Sequence, residues 1–120
     1  MREQFQAKML RIHFIEADKW QNEPLHEAIL KRCMDLGLAG AMVYRGIEGF
    51  GASARIHHAR TLSISKNAPV MVSVIDTEEQ IQKLLPYLDQ MIGGGIVAIS
   101  NVEVIRYSNS PLMPSGAASA

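Results

Sequence analysis

The run "PVMVSVID", Pro69 to Asp76, constrains this chain more than any other stretch. Val70, Val72 and Val74 fall on one side of an extended strand, and Met71 and Ile75 on the other. A strand apolar on both faces belongs inside a sheet that is covered on both faces. "KMLRIHFI", Lys8 to Ile15, repeats the pattern: Leu10, Ile12 and Phe14 alternate with Met9, His13 and Ile15. Whatever fold the chain adopts must cover four apolar strand faces.

The sequence offers two helices for that task. Leu25, Ala28, Ile29, Cys33 and Leu36 recur at helical spacing, with Asn22 as the predicted N-cap, Glu23 and Pro24 in the first turn and Gly37 as the stop. Ile81, Leu84, Leu85, Leu88, Met91 and Ile92 form a second stripe. Asp76 with Glu79, or Thr77 with Gln80, is placed to act as its capping box. Pro86 predicts a kink or local opening in that helix. "GAMVYR" (Gly40 to Arg45) reads as a strand, and "IVAI" and "VEVIRY" as a last strand, or two short ones split near Asn101.

The resulting order is β-α-β-β-α-β. It predicts an α+β, ferredoxin-like fold, an antiparallel sheet with two helices on one face. The other face then lacks a cover, and a partner subunit is the simplest one. The 120 residues suit a single domain, expected over residues 1–107, with an uncharged Ser, Pro, Gly and Ala tail, 108–120, expected to be disordered.

Composition narrows the function classes. Lys and Arg number 12 and Asp and Glu number 12, so a nucleic-acid or anionic-membrane partner is not indicated. No apolar stretch approaches the roughly 20 residues of a membrane helix. The single cysteine, Cys33, lies on a helix's apolar stripe, and a reducing, cytoplasmic setting is expected.

Three clusters could carry chemistry. "YRGIEGFG" follows a strand and offers Arg45, Gly46, Glu48, Gly49 and Gly51. Its spacing matches neither the dinucleotide fingerprint nor a P-loop. It fits a turn, an anion-binding nest of backbone amides, or the root of a mobile loop. Glu48 is expected to pair with Arg45. Gly93, Gly94 and Gly95 either stop a helix or cradle a phosphate. "RIHHAR" (Arg55 to Arg60) holds His57 and His58, which point opposite ways on an extended chain and make a poor shared metal site. No nucleophile elbow or marked carboxylate pair is present, so no enzyme activity is indicated.

"GLAGAMVYRGIEGFGASARIHHAR", with "DKW", "PLHEAI", "APVMVSVIDTEEQIQKLLPYLDQMI" and "VEVIRY", closely resembles the PII-like proteins grouped as domain of unknown function 190. The resemblance spans roughly Met9 to Tyr107. It implies a homotrimer with the uncovered sheet faces inside. It also implies a small effector, often an adenine nucleotide, bound between subunits. Carried over, the cleft would use Arg45 to Gly51, Gly93 to Gly95 and Arg106, and loop 46–67 would contact a target such as a transporter or enzyme. The glycine turn lacks the lysine usual in PII proteins, and Ser108 stands at their second arginine. AMP, ADP, ATP, a cyclic nucleotide or no nucleotide therefore all stay open. A divalent-metal-binding trimer using His57 or His58 is the alternative, as is a trimeric scaffold or enzyme with no nucleotide role.

Overall fold

The computed structural model describes residues 1–51 and 67–109. His57, His58, most of loop 46–67 and residues 110–120 of the expected tail lie outside the described residues.

The described chain runs β1 (Arg2–Ile15), β2 (Lys19–Trp20), β3 (Glu23–Pro24), α1 (Leu25–Asp35), β4 (Ala41–Arg45), β5 (Pro69–Asp76), α2 (Glu78–Met91) and β6 (Ile96–Tyr107). Four strands form one antiparallel sheet in the order β4-β5-β1-β6, with β5 and β1 central. The expected α+β, ferredoxin-like fold is present. Leu10, Ile12, Phe14, Val70, Val72 and Val74 point to the helices and are buried. They pack with Leu25, Ile29, Cys33, Ile81, Leu84 and Leu88 into one core. Each large apolar side chain so buried contributes roughly 1.5–3 kcal/mol. Desolvation pushes the Cys33 thiol up to about 11, so it stays protonated and inert at neutral pH.

The structure refines three local expectations. Asn22 does not cap α1. Gln21 and Asn22 both have positive φ, 48° and 68°, and make the two-residue turn between β2 and β3. Such hairpin turns need left-handed residues, and Asn tolerates that region well. The helix starts at Leu25, behind Pro24, with no side-chain cap. Second, α2 runs unbroken through Pro86. Pro86 and Gln82, whose carbonyl loses its donor, are both exposed, so the lost bond falls on the solvent side. Third, the last strand is one piece of twelve residues, and β1 starts at Arg2 rather than near Lys8. Beyond the reach of β5, Arg2 to Ala7 pair only with Val102 to Tyr107, as a two-stranded ribbon.

The helix junctions are tied to each other. Gly37, at φ 75°, closes α1 in a Schellman motif, with Leu38 N–H on the Cys33 carbonyl and Gly37 N–H on that of Met34. Thr77 caps α2 by accepting from the Gln80 N–H. The Gln80 side chain, expected to complete the capping box, instead donates to the Gly37 carbonyl at 3.1 Å. Asp76, buried at the end of β5, accepts from Ala39 N–H at 2.8 Å and Thr77 N–H at 2.7 Å. Asp76→Ala removes a buried charged acceptor from both junctions, and an urea titration should show a loss of about 2–3 kcal/mol.

Among the described residues, none covers the sheet's second face. Met42, Tyr44, Ile75 and Ile96 are 58, 47, 39 and 64% exposed on it, beside half-buried Met71 and Met9. The ribbon carries the same face onward through Phe5, Ala7, Val102 and Val104, whereas its opposite face holds Gln4, Gln6 and Glu103.

Candidate functional site

The strand register fixes where the predicted site residues fall. Arg45, the last residue of β4, pairs with Val70, and Val70 with Phe14. Gly95 lies just before Ile96, which pairs with His13. Arg45 and Gly95 therefore mark the same end of the sheet on opposite edges, about 14 Å apart at three strand spacings of roughly 4.8 Å. Arg106 pairs with Glu3 near the far end of the ribbon. It stands roughly 33 Å from Ile96 along β6, at about 3.3 Å per residue. One chain does not bring the three groups together.

The glycines separate into two kinds. Gly46 continues the β4–β5 ladder, donating its N–H to the Pro69 carbonyl at 2.7 Å. A Cβ there would lie 2.6 Å from Pro69 Cγ. Gly95 has φ 140°, and a Cβ on it would meet the His13 carbonyl oxygen at 2.3 Å. Both are glycine because backbone or ring comes too close for anything larger. Gly51, Gly93 and Gly94 face open space, and a Cβ on Gly49 would make only an ordinary contact. Among the described residues, nothing packs closely enough against these four to demand glycine.

Each candidate arginine is held by a carboxylate distant in sequence. Arg45 grips Glu16 in a fork, Nε to Oε2 at 3.0 Å and Nη2 to Oε1 at 3.4 Å. Arg106 Nη2 donates to Glu3 Oε1 at 2.6 Å, and its guanidinium lies 5.8 Å from the Phe5 ring centre. Glu48, the second carboxylate expected beside Arg45, lies exposed just past β4. Glu3 and Phe5 lie ahead of Lys8, where the strong apolar alternation of β1 begins. Their signal was the alternation of Glu3, Phe5, Ala7 and Met9 ahead of it. Ile47 and Phe50, in the loop root after Arg45, are 77 and 72% exposed.

Among the described residues no group of three or more His, Cys, Asp or Glu could hold a metal ion. No helix among them is long and apolar enough to cross a membrane.

An antiparallel sheet in the order β4-β5-β1-β6, with two helices on one face, defines a protein of the ferredoxin-like fold class. Residues 7–104 match the model of the DUF190 family, described as "Uncharacterized ACR", and the chain belongs to that family. A UPF0166 protein of Aquifex aeolicus is 33% identical over 100 residues, covering 82% of this chain and 92% of its own. A UPF0166 protein of Methanocaldococcus jannaschii is 34% identical over 101 residues, covering 83% and 93%. Among solved structures, CPII of Thiomonas intermedia K12, bound to ADP and bicarbonate, superposes with a TM-score of 0.63 at 18% identity. That match covers 85% of this chain and 91% of CPII, and it speaks to the fold.

Proposed function

We propose that the protein is a PII-like homotrimer that binds a small anionic effector, an adenine nucleotide, in clefts between subunits and signals through loop 46–67. The observation that carries this reading is the separation of the candidate site. Arg45 and the glycine turn sit on opposite edges of the sheet, and Arg106 at the far end of a ribbon. A heterologous ring contact, which joins one edge of a subunit to the other edge of its neighbour, would bring groups on opposite edges together. The apolar side chains on the open face, Met42, Tyr44, Ile75 and Ile96, beside Arg11 and His13, give that contact its driving force. ADP bound by CPII, a protein of the same fold, sets the ligand class to try first. Exposed Ile47 and Phe50 supply apolar anchors for a protein target beside the cleft.

The test is a thermal-shift panel of AMP, ADP, ATP, cyclic AMP and bicarbonate. A ligand binding only the folded trimer stabilises it by about 2.7 kcal/mol at a hundredfold excess over Kd. One nucleotide should shift the transition. Arg106→Ala should weaken that nucleotide about tenfold or more while leaving the unliganded transition within about 1 kcal/mol. Silence across the panel would remove the nucleotide from the reading.

A further inference from the structure

Both arginines of the proposed cleft already carry a carboxylate of their own chain, and both carboxylates come from the ends of β1. Glu16 follows its last residue and holds Arg45. Glu3, near its start, lies directly across the ribbon from Arg106. At 2.6 Å the Glu3–Arg106 contact is a short charge-assisted bond. The two side chains keep 22 and 26% of their surface exposed. In each pair the carboxylate offsets guanidinium charge that an incoming anion would otherwise meet.

We propose that Glu3, and Glu16 in the same way, is a resident counter-ion that an anionic effector must displace, and that this exchange selects for di- and polyphosphates over monoanions. The proposal rests on the reading that Arg106 belongs to an effector cleft. A monoanion such as bicarbonate brings one charge and so gains nothing over the carboxylate already in place. A diphosphate brings more charge and a wider set of acceptor oxygens, and it can take the guanidinium in a forked grip. The exchange needs no backbone movement. Arg106 is fixed in the β-ladder, its guanidinium lies over the Phe5 ring, and only side-chain torsions turn between Glu3 and a ligand. Partial exposure keeps the pair separable, because solvent and salt screen it. Glu3 would thus set a charge threshold for the effector, and it would re-neutralise Arg106 on release.

Calorimetric titration of Glu3→Gln, Arg106→Ala and the double variant, against the parent protein, tests this. The probes are ADP and, separately, inorganic pyrophosphate, at low ionic strength. Glu3→Gln keeps the shape and a carbonyl acceptor while removing the charge. It should tighten ADP roughly three- to tenfold, the range expected for freeing a partly exposed ion pair and removing its repulsion. The gain should shrink as salt rises. It should vanish in the Glu3→Gln, Arg106→Ala double variant. If Arg106→Ala weakens ADP but Glu3→Gln leaves it unchanged or weaker, the counter-ion proposal is wrong and the cleft reading stands. If Arg106→Ala binds as the parent does, Arg106 lies outside the cleft and both fall. A folded Glu3→Gln trimer that takes neither ADP nor pyrophosphate also overturns the proposal.

Discussion

Gly95→Ala is expected to destabilise the protein by about 3–5 kcal/mol, a large share of the total for a domain of this size. Two causes add. At φ 140° an L side chain is strained, at roughly 1–3 kcal/mol. The new methyl would also sit 2.3 Å from the His13 carbonyl oxygen, inside the β1–β6 junction, where neither backbone can retreat without breaking the ladder. The stiffer unfolded chain returns only about 0.4–1 kcal/mol. Gly94→Ala is the internal control, since a Cβ there meets nothing within 4 Å. Its stability should stay within about 1 kcal/mol of the parent. Urea titrations of the two variants check both statements. A Gly95→Ala loss below about 1 kcal/mol would mean that the turn relaxes, and that the third glycine answers to a ligand rather than to the sheet. A stable Gly94→Ala with weakened ADP binding would assign the first part of the glycine run to the cleft.

The glycine run shows what could and could not be read from the chain. Its residue types were plain, but stopping a helix and cradling a ligand use the same letters. They separated only once His13 was found beneath Gly95. The core strands and both helices were legible because each carries its period over several residues, as in Leu10–Ile12–Phe14 and Ile81–Leu84–Leu88. The ribbon was not. Its outer face mixes Gln4, Gln6 and Glu103 with Ile105 and Tyr107, and its inner face mixes Glu3 and Arg106 with Phe5 and Val104, so its alternation is weaker than that of the core strands. Asn22 misled because capping and left-handed turns draw on the same side chain. Arg45, the glycines and Arg106 were picked out by residue type and family likeness. Their distribution over two edges and a ribbon tip follows from strand order, which single-sequence periodicity does not encode.

That distribution makes the open face the element on which function turns, and Met71→Lys should expose it. Met71 sits on a central strand, facing away from the helices, between Tyr44 and His13. In a single subunit it is only half-buried, so a lysine can reach water along its stem and the fold should lose less than about 1 kcal/mol. Inside a trimer the same ammonium has no counter-charge among its strand neighbours, and confining it there costs several kcal/mol per subunit. Three copies meet at one axis, so the penalty is repeated and the like charges repel. Light scattering should give the parent protein three times the 13.3 kDa chain mass and the variant a single chain, with circular dichroism unchanged. The lysine variant should also lose ADP binding, although it touches none of the proposed ligand residues, because a lone subunit keeps Arg45, Gly93 and Arg106 apart. A trimeric Met71→Lys would place the interface elsewhere on the sheet. A monomeric variant that still binds ADP would confine the site to one chain, and the reading of a cleft between subunits would have to be abandoned.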